Sequence, residues 1–135
     1  MSIEIDHLGI AVRTLGEALQ FYGDLLGMTL GQRETIESER VNVVMLPAGT
    51  QPDSPRIELL EATGPESVIA KFIEKHGPGL HHIALRVDDL QGAAERLRSR
   101  GARLLNQPSS GAGGHVYVFV HPASTGGVLL ELIQK

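Results

Sequence analysis

The chain has 135 residues, about the length of one domain, and its 41% hydrophobic and 21% charged residues are ordinary for a globular protein. It contains no cysteine, which excludes disulfides, thiolate metal sites and a cysteine nucleophile. A net charge of −4 without a basic block argues against a nucleic-acid partner. Because no apolar run reaches membrane-spanning length and the N-terminus lacks a signal-peptide pattern, we expect a cytoplasmic protein without a membrane partner.

The first predicted elements are a strand at "HLGIAV" (7–12) and a helix that follows it. Thr14 and Glu17 have the spacing of a capping box at the helix N-terminus, and Gly27 suits its C-terminal cap. Apolar residues at helical spacing predict the buried side of this helix: Leu15, Ala18, Leu19 and Tyr22. Two further strands are predicted in this half of the chain: "RVNVVMLPAG" (40–49) and "RIELLE" (56–61).

A second helix is predicted over residues 65–76, where it connects the two halves of the chain. Thr63 and Glu66 again have capping-box spacing, Pro65 suits the first turn, and Gly77 ends the helix. Its predicted buried side consists of Val68, Ile69, Phe72 and Ile73. A helix in this place, rather than a flexible linker, indicates one domain.

The second half of the chain repeats the first. "HIALRVDDLQGAAERL" (82–97) aligns with "HLGIAVRTLGEALQFY" (7–22) at a constant separation of 75 residues, so that His82 matches His7. The last predicted strands also match, since Glu58 and Glu131 lie 73 residues apart, each between apolar residues. Internal repetition of this kind indicates two copies of one structural module.

The second copy has its own helix signals. Asp88 or Asp89 can cap the helix, and Gly101 can end it. Its predicted buried residues are Leu90, Ala93, Ala94 and Leu97. Three strands are predicted after it: "ARLLNQ" (102–107), "HVYVFVHP" (115–122) and "GVLLELIQ" (127–134). The stretch "SSGAGG" (109–114) is predicted to be a loop, and it lacks the GK[ST] of a phosphate-binding P-loop.

The second half has the pattern β-α-β-β-β, and because the halves repeat we interpret each as a β-α-β-β-β module, although only two of the later strands are assigned in the first half. The whole chain therefore predicts an α+β fold with two paired modules. We expect a single domain over residues 1–135. Its predicted parts are module one at about 3–62, the connecting helix at about 65–76 and module two at about 80–134.

The repeated residues predict a metal site. If the two modules pack as pseudo-twofold mates, His7 and His82 converge with Glu58 and Glu131. Two imidazoles and two carboxylates suit a divalent ion with positions left for water or substrate. For either glutamate alone, a solvent-facing position on a half-exposed strand is the simpler interpretation. Four matched positions in two copies favour the metal.

Three stretches resemble a known superfamily: "IAKFIEKHGPGLHHIALRVDD" (69–89), "GAGG" (111–114) and "HPASTGGVLLEL" (121–132). With them, nearly the whole chain resembles the vicinal oxygen chelate (glyoxalase/bleomycin resistance/dioxygenase) superfamily, and within it the methylmalonyl-CoA epimerases. The resemblance implies a vicinal oxygen chelate fold in which two modules form a metal-binding cleft. It also implies a homodimer. The implied metal ligands are His7, Glu58, His82 and Glu131. His81 is then not a ligand, and the ion can be Co, Mn, Ni, Mg or Zn.

The activity that the resemblance implies is an isomerase reaction on a CoA thioester. A metal-stabilised enolate would form by loss of the C2 proton, and its reprotonation would interconvert (2R)- and (2S)-methylmalonyl-CoA. Glu131 is the implied base. Gly113, Gly114 and His115 are candidates for contacts with the substrate.

A second proton-transfer group is needed on the opposite face of the substrate. Some relatives carry a glutamate on the strand that here reads "RVNVVML" (40–46). The matching residue in this chain is Asn42 or Val43, neither of which can accept a proton. Glu39 and His115 remain as candidates.

Other functions compete with this one. A lactoylglutathione lyase, or another small-metabolite isomerase of the superfamily, would use the same four ligands with a different pocket. A non-catalytic ligand-binding protein would typically lack the ligand set. A ring-cleaving dioxygenase usually needs two histidines and one carboxylate on iron, and often more modules.

Overall fold

The computed structural model describes residues 2–110 and 114–135. The strands are β1 (Ile3–Val12), β2 (Arg33–Ile36), β3 (Val41–Pro47), β4 (Arg56–Ala62), β5 (Gly79–Val87), β6 (Ser109–Ser110), β7 (Val116–Val120) and β8 (Leu130–Gln134). The helices are α1 (Leu15–Leu19), which continues as a π-helical segment (Gln20–Leu25), α2 (Val68–His76), α3 (Leu90–Ser99) and a short 3-10 helix (Pro122–Ser124). None of the helices in the described part of the chain has the length and apolar character needed to cross a membrane.

The chain divides into two compact units. The first unit is His7–His81, and the second unit contains the described residues up to Asp6 and those from His82 onward. Each unit has the order strand, helix and three further strands, and α2 follows as the last helix of the first unit. The predicted α+β fold with two β-α-β-β-β modules is thereby confirmed. The single domain and its predicted bounds stay a prediction.

The strands of the two units are connected in the same way. In the first unit the order is β2-β3-β4-β1, with β1 parallel to β4 and the other neighbours antiparallel. In the second unit the order is β6-β7-β8-β5, with β5 parallel to β8 and the other neighbours antiparallel. The repeat seen in the sequence is therefore a repeat of strand pairing as well.

Equivalent contacts hold the N-terminus of each module's helix. The side chain of Thr14 accepts the N–H of Glu17 at 3.2 Å, and that of Asp89 accepts the N–H of Gly92 at 3.0 Å. The last strand of each unit adds a second acceptor. Glu61 Oε2 accepts the N–H of Leu15, and Gln134 Oε1 accepts the N–H of Leu90, both at 2.8 Å.

Both predicted glycine caps are confirmed. Gly27 and Gly101 have φ values of +85° and +88°, a backbone conformation that side chains with a Cβ rarely adopt. The first of these helices differs from its prediction in one respect, because the helix widens to a π-helix after Leu19. Its predicted apolar side nevertheless packs inward, with Leu15 fully buried.

The module helices cover one face of their strands and leave the other face for the candidate site. In the first unit, α1 packs on a cluster that contains Val44, Leu46 and Leu59. In the second unit, α3 packs on Val118 and Leu132, among others. Because side chains alternate along a strand, Glu58 and Glu131 point to the opposite face.

The connecting helix begins later than predicted. The N-cap of α2 is Ser67, whose hydroxyl accepts the N–H of Ile69 at 3.1 Å, so the predicted capping box of Thr63 and Glu66 is wrong. The helix ends at Gly77 as predicted. Val68 was expected on the buried side but is 66% exposed, because it occupies the first turn and points away from the core.

The strand predicted at "ARLLNQ" is also wrong. In this stretch only Leu104 forms an isolated bridge, with Val120, because the side chain of Asn106 takes a hydrogen bond that a strand backbone would otherwise make. The edge strand β6 lies at Ser109–Ser110, inside the predicted loop 109–114. Residues 111–113 of that loop lie outside the described residues. The strand β2 (Arg33–Ile36) was not predicted.

Candidate active site

The first half of the candidate site consists of His7 on β1 and Glu58 on β4. These strands are parallel neighbours, and the residue paired with Glu58 is Gly9, two positions after His7. Both side chains therefore lie on one face of the sheet, with His7 Nε2 at 3.6 Å from Glu58 Oε1. The two side chains are only 7% and 13% exposed.

The second half repeats this arrangement with His82 on β5 and Glu131 on β8. The residue paired with Glu131 is Ala84, again two positions after the histidine. His82 Nε2 lies 3.5 Å from Glu131 Oε1, and the side chains are again 7% and 13% exposed. The two halves thus agree in strand register, in distance and in burial, although they are formed by different parts of the chain.

The donor atoms in each half are suited to a divalent ion. The described side chains that could hold a metal include His7 and Glu58 in the first unit and His82 in the second. Distances of 3.5–3.6 Å between nitrogen and oxygen are too long for a strong hydrogen bond. Two ligands that each bind one ion at about 2.1 Å stand roughly 3 Å apart, so a small movement of either side chain satisfies a shared ion.

His81 has a different environment from its neighbour His82. Its ring packs edge-on against Phe72 of α2, with the ring centroids 4.9 Å apart. Phe72 also contacts the ring of His76, at 5.0 Å between the centroids. His81 therefore belongs to the packing around α2, which agrees with its predicted exclusion from the ligand set.

The structure separates Asn42 from Val43, which the sequence left as alternatives. Asn42 Nδ2 donates to Glu61 Oε1 at 2.9 Å, and Glu61 caps α1, so Asn42 lies on the helix-covered face. Val43 pairs with Leu60, two positions from Glu58, and so lies on the face that bears the candidate ligands. It is 4% exposed and carries no proton-transfer group.

Sequence reasoning missed one carboxylate on this face. Glu34 on β2 pairs with Val43, and directly opposed residues of antiparallel strands project to the same side of the sheet. The side chain of Glu34 is exposed. The signal was hidden because β2 has only four residues and no apolar alternation that would predict a strand. Glu39, by contrast, lies in the turn between β2 and β3.

Two of the three predicted substrate contacts lie within the described residues. Gly114 is exposed and has a φ of +77°, and His115 is half-buried directly before β7. Gly113 lies outside the described residues. Their contact with a substrate stays a prediction.

Comparison with known proteins gives a consistent answer. The model of the Glyoxalase/Bleomycin resistance protein/Dioxygenase superfamily matches residues 6–119. The Ethylmalonyl-CoA/methylmalonyl-CoA epimerase of Cereibacter sphaeroides is 38% identical over 96% of this chain and 96% of its own length.

Solved structures agree with the sequence relatives. A methylmalonyl-CoA epimerase in complex with methylmalonyl-CoA and NH4+ has a TM-score of 0.89 and 33% identity, over 100% of this chain and 96% of that one. A Streptomyces coelicolor methylmalonyl-CoA epimerase variant in complex with 2-nitronate-propionyl-CoA has a TM-score of 0.87 and 34% identity, over 97% and 96% of the two chains. The chain therefore belongs to the Glyoxalase/Bleomycin resistance protein/Dioxygenase superfamily, and within it to the epimerases that these relatives represent.

Proposed function

We propose that this protein interconverts (2R)- and (2S)-methylmalonyl-CoA by proton transfer at C2, and that it needs one divalent metal ion to do so. The observation that carries the proposal is the repeated histidine–glutamate pair, with its identical register and burial in the two units. Relatives whose names include CoA thioesters support the substrate class.

The residues that would hold the ion are His7, Glu58, His82 and Glu131. The ion, when bound, supplies Lewis-acid stabilisation for the negative charge that develops on substrate oxygens as the C2 proton leaves. Co, Mn, Ni, Mg and Zn all accept nitrogen and oxygen donors of this kind. The carboxylates gain from the ion as well, because a nearby positive charge offsets the cost of removing a carboxylate from water.

Glu131 is the proposed acceptor of the C2 proton. Its Oε1 lies 3.5 Å from His82 Nε2, and we propose that the other carboxylate oxygen accepts the proton. Glu131 lies in the apolar strand segment "LLELI", and its side chain is 13% exposed. A carboxylate in such surroundings can serve as a general base.

A second group must deliver a proton to the opposite face of C2. Glu39 and His115 are the candidates from the sequence, and the strand register adds Glu34. A variant that lacks this group should no longer interconvert the two epimers. One epimer should still exchange its C2 proton with solvent in that variant. Glu34→Gln, Glu39→Gln and His115→Gln can be compared on that criterion.

The remaining proposals concern binding and assembly. Gly113, Gly114 and His115 are proposed to contact the CoA thioester through backbone N–H groups and the imidazole. The homodimer implied by the family resemblance and a cytoplasmic location stay predictions.

Deuterium exchange at C2 tests the proposed function. We expect each epimer of methylmalonyl-CoA to exchange its C2 hydrogen in D2O with the metal-loaded protein, and the rate to fall after chelation and dialysis. Turnover of the glutathione–methylglyoxal adduct without exchange of the CoA thioester would identify a lactoylglutathione lyase. Metal uptake without turnover of either compound would identify a binding protein.

A further inference from the structure

The residue beside Glu131 distinguishes the two halves of the candidate site. Phe119 of β7 pairs directly with Glu131 of β8, so both side chains project to the same face at neighbouring positions. The ring of Phe119 also meets the imidazole of His82 in an edge-to-face arrangement, with centroids 6.2 Å apart and planes at 87°. This geometry is the favourable one for two aromatic rings. Phe119 thus lies beside both members of the His82–Glu131 pair.

Neighbouring groups hold Phe119 in this position. Its backbone N–H donates to Asn106 Oδ1, and its carbonyl accepts the N–H of Leu105, both at 2.8 Å. Asn106 Nδ2 also donates to the carbonyl of Tyr117 at 3.3 Å. The ring of Tyr117 packs against that of Phe119 with centroids 5.8 Å apart. Hydrogen bonds therefore hold the backbone of Phe119, and the ring of Tyr117 packs against one side of its phenyl ring.

The first unit has no such ring at the equivalent place. The residue paired with Glu58 is Met45, a side chain with three rotatable bonds that adapts to its surroundings. A flexible thioether can fill space next to Glu58, but it does not fix the plane of an imidazole. The two halves therefore have the same types of donor atom, but the residue beside the glutamate is a flexible methionine in the first half and a phenylalanine in the second.

We propose that Phe119 is a positioning residue, which holds the His82 imidazole and the Glu131 carboxylate in the arrangement needed for metal binding and proton transfer. The inference rests on the proposed function, since it concerns the half that contains the proposed base. Groups that orient metal ligands commonly change metal affinity or activity by about 10–100-fold when they are removed. Phe119 meets the His82 imidazole through an edge-to-face ring contact and no hydrogen bond between the two side chains is involved, so we expect the low end of that range.

Cobalt binding tests the proposal with a spectroscopic readout. Phe119→Leu removes the ring and keeps an apolar side chain. We expect its Co²⁺ affinity to fall about 10-fold and the visible absorption bands of the bound Co²⁺ to change, because these bands report ligand geometry. Phe119→Tyr keeps the ring, so it should restore both properties. At saturating metal, kcat should fall more than KM rises.

Phe72→Leu is the matched control. Phe72 is half-buried like Phe119 and also packs on a histidine, but that histidine is His81 rather than a candidate ligand. We expect Phe72→Leu to lower stability while its Co²⁺ affinity stays within about twofold of wild type. If Phe119→Leu does not fold, Phe119→Met takes its place, since methionine is the residue that the first unit has beside its glutamate.

Two outcomes would overturn different claims. If the wild-type protein takes up Co²⁺ and Phe119→Leu binds it equally tightly with an unchanged spectrum, Phe119 has no positioning role. If the wild-type protein takes up no Co²⁺ and exchanges no C2 hydrogen, the proposed function itself has failed and this inference fails with it.

Discussion

In the proposed function, Glu131 combines two roles that are usually filled by separate residues, metal ligand and proton acceptor. As a ligand it must hold a fixed position, and as a base it must present an oxygen to the substrate. A carboxylate has two oxygens for these two roles, and one of them lies 3.5 Å from His82 Nε2. Glu58 has the same relation to His7, but its cross-strand neighbour is the flexible Met45 instead of Phe119. Glu58 and Glu131 occupy equivalent positions, and we propose that only Glu131 transfers the C2 proton.

Substitution of Glu131 separates its two roles. Glu131→Gln keeps the size of the side chain and an oxygen ligand, but an amide cannot accept the C2 proton. At matched metal occupancy we expect deuterium exchange at C2 to fall by at least about 100-fold, the low end for loss of a general base. Glu74→Gln, an exposed position on α2, is the control and should exchange at the wild-type rate. Near-native exchange from both epimers in Glu131→Gln would leave Glu131 as a ligand only.

The two adjacent histidines make a second comparison possible. We expect His82→Ala to lose bound metal after dialysis, because it removes a proposed ligand. We expect His81→Ala to retain metal and lose stability, because it removes the ring that packs on Phe72 at 4.9 Å. Metal content should thus fall in His82→Ala, and the free energy of unfolding in urea should fall in His81→Ala. Greater metal loss in His81→Ala would reverse the assignment of the two residues.

At the scale of elements, the two module helices are capped at equivalent places by different residues, Thr14 in the first unit and Asp89 in the second. Asp89 accepts the N–H of Gly92, while the neighbouring Asp88 accepts the N–H of Ser2 at 3.2 Å on the surface. The sequence left these two aspartates as alternatives. The structure selects Asp89, because only its side chain reaches the first turn of α3.

The cap can be measured in the protein. Asp89→Ala is expected to lower the free energy of unfolding by about 1 kcal/mol, the typical cost of losing an N-cap acceptor. Asp88→Ala should cost less, because its contact with the N–H of Ser2 is exposed to solvent. Urea denaturation of the two variants in metal-free buffer gives the comparison. Equal losses would show that Gln134, which accepts the N–H of Leu90, is a sufficient cap by itself.

The sequence correctly predicted the features that depend on residues close together in the chain, such as helix caps, and the repeat of one half in the other. The spacing of Thr14 and Glu17, the glycine at position 101 and the separation of His7 from His82 each led to a feature that the structure contains. These features depend on residues a few positions apart, or on comparison of one copy with the other.

The errors have tertiary causes. Ser67, rather than the predicted Thr63, caps α2, because its hydroxyl accepts the N–H of Ile69. The spacing of residues in the sequence did not indicate this contact. The side chain of Asn106, instead of a backbone carbonyl, accepts the N–H of Phe119. The predicted strand at "ARLLNQ" is therefore reduced to an isolated bridge between Leu104 and Val120. The contact of Phe119 with His82 depends on strand order, and no local pattern reveals strand order.

At the scale of the whole molecule, duplication accounts for the form of the candidate site. One module supplies a histidine and a glutamate, which is too few ligands for a tightly held divalent ion. Two copies supply two histidine–glutamate pairs with the same register, and the proposed ion would use both pairs. The two copies differ at the residue paired with the glutamate, which is Met45 in the first unit and Phe119 in the second.

Metal-dependent stability tests whether both copies serve the same ion. An ion that binds only the folded protein stabilises it by about 2.7 kcal/mol at 100 times its Kd, which for a chain of this size raises Tm by roughly 5–10 °C. We expect Mn²⁺ to produce such an increase and EDTA to reverse it. His7→Ala and His82→Ala should each abolish most of the increase, since each removes one donor from the proposed ion. His76→Ala, which alters an exposed histidine on α2, should retain the increase in full. If His7→Ala kept the whole increase while His82→Ala lost it, the ion would belong to the second pair alone, and the duplicated pair of the first unit would need another explanation.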